Sequence, residues 1–187
     1  MPARFKKNKM VALLRGINVG GNKRIPMADL RKLAQERLKG EVQSYIQSGN
    51  LVLMVSGTPQ IVENALEQEI AGHFGFEVEV ICRNESQWTT YLEANPFAEA
   101  ARDRPKALHL GIAKEQLKVN VVKTLQAKAT LDEKIATEAG ALYVDFVGGV
   151  GESKLSPSLF DRAAGSSVTL RNWSTVQAMA DLLKSFG

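Results

Sequence analysis

The chain has 187 residues, 44% of them hydrophobic and 24% charged, which is enough to build a core in one ordinary domain or two small ones. No apolar run approaches the roughly 20 residues needed to span a bilayer, and Met10–Leu14 is too short for a secretory core segment. A single cysteine, Cys82, excludes an internal disulfide and a multi-cysteine metal site, and two histidines, His73 and His109, argue against a histidine-based zinc centre.

The net charge of +4 is unevenly spread. Residues 1–50 hold 11 Lys/Arg against 3 Asp/Glu, whereas residues 51–100 hold only Arg83 against 8 acidic residues. A basic first quarter attracts phosphate-bearing partners; it equally suits contact with the acidic second quarter. Arg4, Lys6, Lys7 and Lys9 make residues 1–9 read as a flexible basic arm.

In chain order, Met10–Leu14 reads as a short buried strand and Arg15–Ile25 as a glycine-containing loop. Pro26 suits a first helical turn, where its missing N–H costs nothing. Met27, Leu30, Leu33, Ala34 and Leu38 keep helical spacing, and Gly40 stops the helix. Val42–Gln47 and Leu51–Val55 read as strands around a Ser48-Gly49-Asn50 turn. Thr58-Pro59 opens a helix whose apolar face is Val62, Leu66, Ile70 and Phe74, and Glu77–Ile81 alternates as a strand. Asn84 then caps a short helix reaching Ala94, and 97–106 reads as a linker.

A second series follows. Ala107–Ile112 is a strand, and Leu117, Val121, Val122 and Leu125 mark a helix. Lys134–Thr137 and Leu142–Val147 flank an Ala139-Gly140 turn. Ser156-Pro157 opens a short helix to Ala163, Ser167–Leu170 is a strand, and Val176, Met179, Ala180, Leu183 and Phe186 give a terminal helix. The order β-α-β-β-α-β therefore occurs twice, as elements without a visible residue-level repeat. The expected fold class is α+β, a tandem pair of ferredoxin-like (βαββαβ) subdomains at 10–96 and 107–187 with additional helices.

In that topology the first two strands run parallel. The loop Arg15, Gly16, Ile17, Asn18, Val19, Gly20, Gly21 thus falls at the same end of the sheet as Gln47, Ser48, Gly49 and Asn50. Likewise Gly148–Ser156 falls at the same end as Arg171, Asn172 and Trp173. The first loop follows a strand and precedes a helix, where glycine N–H groups and a helix N-terminus favour an anion; its spacing matches no nucleotide fingerprint. Gln47, Ser48 and Asn50 offer polar groups for a small ligand, and also suit a turn. Ser153 and Lys154 suggest an anion contact, although Ser153 before Lys154 and Leu155 after it depart from a P-loop. Arg171 can grip an anion bidentately, Asn172 suits a helix cap, and Trp173 suits packing or stacking. No serine, cysteine or paired-carboxylate catalytic arrangement, no metal set and no cofactor motif is evident; Cys82 reads as a small buried hydrophobe.

Arg15-Gly16-Ile17-Asn18-Val19-Gly20-Gly21, Tyr45-Ile46-Gln47-Ser48-Gly49-Asn50, Ser153-Lys154-Leu155 and Arg171-Asn172-Trp173 resemble the bacterial family called domain of unknown function 1697. The resemblance runs from about Lys9 to the C-terminus. Ser174 stands where that family usually has Asn, and Glu152 where it commonly has a basic residue. It implies tandem ferredoxin-like subdomains in a cytoplasmic bacterial protein, and no particular reaction. Three functions follow in rank order. The first is a binding module for a phosphorylated small molecule or nucleotide at the glycine loops. The second is single-stranded nucleic-acid binding through strand aromatics, of which only Tyr45, Tyr143 and Phe146 are available. The third is an enzyme using Arg15, Lys154 and Arg171 on a small anionic substrate. No membrane partner is expected.

Overall fold

A computed structural model describes residues 7–186. The chain forms two units, one made of the chain up to Trp88 with the chain from Ala178, the other of Thr89–Gln177. Among the described residues the fold is α+β, with two four-stranded antiparallel sheets and seven helices.

The first unit runs β1 (Asn8–Leu14), α1 (Met27–Leu38), β2 (Glu41–Tyr45), β3 (Asn50–Val55), α2 (Pro59–Phe74), β4 (Val80–Asn84) and the start of α3 (Glu85–Glu93). Its sheet order is β2-β3-β1-β4. Met10, Ala12 and Leu14 of β1 share a core with Leu51, Leu53 and Val80 of the sheet and with Leu30, Ala34, Val62, Leu66 and Ile70 of the two helices. The alternate residues Val11, Leu13, Val52 and Ile81 are buried too, so these strands read as continuous apolar runs rather than alternating ones.

Several boundaries differ from expectation. β1 starts at Asn8, which puts residues 8 and 9 of the expected arm in the sheet; Lys7 just ahead of it is exposed, and residues 1–6 lie outside the described residues. β2 ends at Tyr45 because Ile46 takes φ 50°, and Asn50 begins β3 instead of sitting in the turn. The expected strand Glu77–Ile81 shifts to Val80–Asn84, since pairing with β1 begins at Leu14↔Val80. Asn84 and Gln87 form a reciprocal capping box, each side chain accepting the other's backbone N–H at 2.8 and 3.0 Å, which starts α3 at once.

The second unit holds the rest of α3, then α4 (Ala98–Asp103), β5 (Leu108–Ala113), α5 (Val121–Gln126), β6 (Lys134–Glu138), β7 (Ala141–Asp145), α6 (Pro157–Ala164), β8 (Val168–Asn172) and the first turn of α7 (Trp173–Ser185). Helix α4 occupies much of the stretch read as a linker. The sheet order is β6-β7-β5-β8. Leu142, Val144, Phe146 and Val168 form its core with Val121, Leu125, Phe160 and Ala164.

Register reveals residue-level correspondences that the sequence alone concealed. Val11 pairs with Arg83 in one sheet, and Leu110 with Arg171 in the other. Each arginine is followed by an asparagine, Asn84 or Asn172, whose side chain caps the next helix. Thr58-Pro59 and Ser156-Pro157 open α2 and α6 with the hydroxyl accepting the N–H three residues on, and Gly75 and Gly165 close them in the left-handed conformation at φ 77°. On the corresponding edge strands β4 and β8 a helix carboxylate accepts the first N–H: Glu67 takes that of Val80 at 2.9 Å, and Asp161 that of Val168 at 2.9 Å. Glu63, buried, takes the N–H of Cys82 at 2.7 Å. Occupied N–H groups blunt an edge strand as a template for another chain.

Candidate functional site

The first expected cluster assembles. Because β1 lies beside β3, the Leu14 N–H donates to the Gly49 carbonyl at 2.8 Å. Asn18, at φ 56°, organises the loop. Its side-chain amide donates to the carbonyls of Ile25 (3.0 Å) and Gln47 (2.8 Å), and its side-chain oxygen accepts the Ile25 N–H at 2.8 Å. One neutral side chain thus closes the loop on itself and fastens it to the β2–β3 hairpin. Asn50, fully buried, closes that hairpin by donating to the Tyr45 carbonyl (3.0 Å) and the Ser48 hydroxyl (2.9 Å).

The polar groups expected to read a ligand are therefore largely committed within the fold. Asn18, Ser48 and Asn50 are bonded internally, and Arg15 meets Glu79 at 3.1 Å. The outward rim consists of Gly16, Val19, Gly20, Gly21, Asn22, Lys23, Arg24 and Gln47, all exposed. Gly20 and Gly21 (φ 59° and 79°) are the central residues of a turn that brings the Asn22 N–H to the Val19 carbonyl at 3.1 Å. Two successive positive φ values explain the glycine pair. A Cβ at Gly16 or Gly20 would meet nothing, and one at Gly21 would lie 3.7 Å from an Arg24 guanidinium nitrogen. The space in front of this backbone is open. The Lys23 ammonium donates to the Glu77 carbonyl at 2.7 Å.

The second expected cluster does not assemble. Both segments leave the same end of the sheet, but toward opposite edges. Ser153 donates to Glu133, just ahead of β6, while Arg171 stands on β8. With β7 and β5 between them, three strand spacings of about 4.8 Å put these edges roughly 14 Å apart. Arg171 also projects from the face opposite the Leu142–Val144 core. Its guanidinium donates to the Thr169 hydroxyl (2.8 Å) and Leu170 carbonyl (3.0 Å), and burial pushes its pKa down to about 10, so it stays charged at neutral pH. Asn172 is a helix cap, accepting the Thr175 N–H at 2.9 Å. Trp173 is buried, 6.4 Å from the Tyr143 ring, and offers no stacking surface. Lys154 is exposed.

Sequence reasoning missed the residue that holds this second loop. Glu133 is buried and accepts the N–H groups of Thr130 (2.9 Å) and Leu131 (2.7 Å) and the Ser153 hydroxyl at 2.5 Å. Burial alone would raise its pKa, but the bonds from Ser153, Leu131 and Thr130 outweigh burial and hold the carboxyl below the usual range. Asp145, fully buried, was missed too; it takes a two-pronged bond from Arg104, with contacts of 2.5 to 3.1 Å. Glu63 and Glu67 left a faint signal, since at i and i+4 they border the Val62, Leu66, Ile70 stripe of α2. Nothing in Leu131-Asp132-Glu133-Lys134 distinguishes Glu133 from a surface acid.

The strand aromatics expected to stack bases are mostly enclosed: Tyr143 and Phe146 are buried and Tyr45 is half-buried. The Tyr143 hydroxyl donates to the Tyr91 carbonyl at 2.7 Å, and burial raises its pKa. His109, at 3.0 Å from the Ala107 carbonyl and edge-on to Phe146, is held below the usual histidine range by burial, against the pull of that carbonyl and with help from the Arg171 charge. No group of three or more His, Cys, Asp or Glu among the described residues is placed to hold a metal ion, and none of their helices is long and apolar enough to cross a membrane.

Residues 8–143 match the model of a family described as "Protein of unknown function (DUF1697)". The chain belongs to that family. A solved structure, that of the conserved bacterial protein SP0830 from Streptococcus pneumoniae, is similar at 26% identity with a TM-score of 0.72, over 95% of this chain and 99% of that one. Comparison with curated proteins finds no match. The Arg15–Gly21 and Gln47–Asn50 motifs both fall within the matched residues; Ser153-Lys154-Leu155 and Arg171-Asn172-Trp173 fall beyond them.

Proposed function

We propose that this family member is a tandem pair of ferredoxin-like subdomains that binds a phosphate-bearing small molecule or nucleotide at the rim of its first glycine loop. Support for the duplication lies in the matching strand orders, β2-β3-β1-β4 and β6-β7-β5-β8, and in the paired caps and edge carboxylates. The observation that carries the binding reading is the Asn18 brace. It holds Gly16–Arg24 in one conformation without using the loop's outward backbone, and the exposed rim carries Lys23 and Arg24. A loop fixed before binding loses little ordering entropy when a ligand arrives. Recognition here rests on exposed backbone and cationic side chains, not on Asn18, Ser48 or Asn50. The compartment proposed is the cytoplasm, which suits a chain with a single, buried cysteine.

The test is an NMR titration of the wild-type protein and of Arg24→Ala with inorganic phosphate, sugar phosphates and nucleotides. Shifts confined to amides of residues 16–24 and 47, saturable and weakened in Arg24→Ala, support the reading. Unmoved loop amides at millimolar ligand, or shifts that Arg24→Ala leaves intact, overturn it.

A further inference from the structure

The four sheet edges are not treated alike. On β4 the outward N–H groups of Val80 and Cys82 go to Glu67 and Glu63, and on β8 that of Val168 goes to Asp161. On β2 the Val42 carbonyl accepts from the Gln35 side chain of α1 at 3.4 Å. The position of β6 corresponding to Val42 is Ile135, since the two pair with Leu53 and Val144 in matching registers. There the equivalent helix glutamine, Gln126, reaches back to the Glu133 carbonyl at 3.0 Å, two residues short.

The β6–β7 hairpin shows which groups face out. Its turn is the two-residue Ala139-Gly140, both at positive φ (51° and 77°), so Glu138 and Ala141 close it as a hydrogen-bonded pair. Bonded and non-bonded pairs then alternate. Lys134, Ala136 and Glu138 turn their backbone groups toward β7, and Ile135 and Thr137 turn theirs outward.

The geometry points to β6 as a self-pairing edge, through which two copies of this chain join their second sheets about a two-fold axis at Ala136. In an antiparallel pair centred there, Ile135 faces Thr137 of the second copy, and Thr137 faces Ile135. Those are the residues with outward N–H and C=O groups, so four backbone hydrogen bonds form without disturbing the hairpin. Ala136 faces itself across the axis in a close, non-bonded pair, where a small side chain fits. Lys134 faces Glu138 of the second copy at both ends, and both residues are exposed. The segment Lys134-Ile135-Ala136-Thr137-Glu138 is thus complementary to itself in charge, in hydrogen-bonding parity and in side-chain size. A five-residue edge is short, so the dimer is a weak one.

Sedimentation of the full chain over a concentration series tests this. The weight-average mass should climb from 20.4 kDa toward twice that value, and the Ile135 and Thr137 amides should gain exchange protection with concentration. Thr137→Pro removes only an outward N–H, which an edge strand tolerates, and should leave a monomer. Lys134→Glu should weaken association about tenfold by opposing like charges at both ends of the pair. Adding Glu138→Lys to it should restore association. A monomer at every concentration overturns the proposal and leaves Lys134 and Glu138 as charges that blunt the edge. A dimer indifferent to Thr137→Pro, or one that the double charge exchange fails to restore, overturns it as well.

Discussion

The two units carry the same strand order but lengthen different connections. In the first, residues 15–26 separate β1 from α1, and only residues 56–58 separate β3 from α2. In the second, residues 114–120 stand in the first place and residues 146–156 in the second. Each long loop is held by one internal polar side chain, and the two side chains are chemically different. Asn18 is a neutral amide that both donates and accepts. Glu133 is a carboxylate that only accepts. The same engineering problem, a long loop with backbone groups to satisfy, is solved once without charge and once with it.

The hairpin glycines break the comparison most sharply. Gly49 and Gly140 have nearly the same φ, 79° and 77°, but a Cβ at Gly49 would lie 2.8 Å from the Leu14 Cβ and 2.9 Å from the Ile17 side chain, whereas one at Gly140 meets nothing. Gly49→Ala should therefore cost about 3 kcal/mol or more, overpacking added to conformational strain. Gly140→Ala should cost only the strain, about 1 kcal/mol. Denaturant unfolding of the two variants measures both, and equal losses would refute the packing argument.

The two braces come next. Asn18→Asp turns a donor pair toward the Ile25 and Gln47 carbonyls into acceptors and should cost about 2 kcal/mol or more. Glu133→Gln replaces the carboxylate acceptor of three bonds and should cost about 2 kcal/mol. Acid separates the two loops. Because the folded protein holds the Glu133 carboxyl below its ordinary value of 4.5, its contribution is complete above that pH. It is lost as the pH falls through the lower, folded-state value. Amide shifts of Thr130, Leu131 and Ser153 should move together in that acid range while those of Asn18 and Ile25 stay still, and Glu133→Gln should abolish the movement.

These braces also mark where the sequence stopped being legible. Apolar spacing and turn residues revealed both β-α-β-β-α-β series, because core-facing positions and caps are local signals. The Arg15–Gly21 and Gln47–Asn50 contact followed from topology, since β1 and β3 are neighbours. The proposed partnership of Lys154 with Arg171 failed because sharing an end of a sheet does not mean sharing an edge, and strand order is a tertiary fact. Asn18, Asn50 and Ser153 looked available only because their partners, carbonyls and a distant carboxylate, leave no trace in local sequence. The correspondence of Arg83-Asn84 with Arg171-Asn172 escaped notice because the loops in the two units differ in length; register aligned them.

Where the units are most alike, the smallest effects should also be alike. The Thr58 hydroxyl accepts the Ile61 N–H at 3.4 Å, and the Ser156 hydroxyl accepts the Leu159 N–H at 3.3 Å, each ahead of a proline in the first helical turn. Alanine at either position leaves one helix-terminal N–H to solvent and should cost about 1 kcal/mol. The two losses should agree within a few tenths, since both bonds are long, both sites are exposed, and neither cap touches a long loop's brace. Exchange of the Ile61 amide should quicken in Thr58→Ala, and of the Leu159 amide in Ser156→Ala, each without change at the other. A markedly larger loss for Ser156→Ala would mean that its neighbour Ser158, at 3.1 Å from the Ser156 hydroxyl, or the adjoining loop draws on the cap as well. The two units would then differ in more than the loops they lengthen.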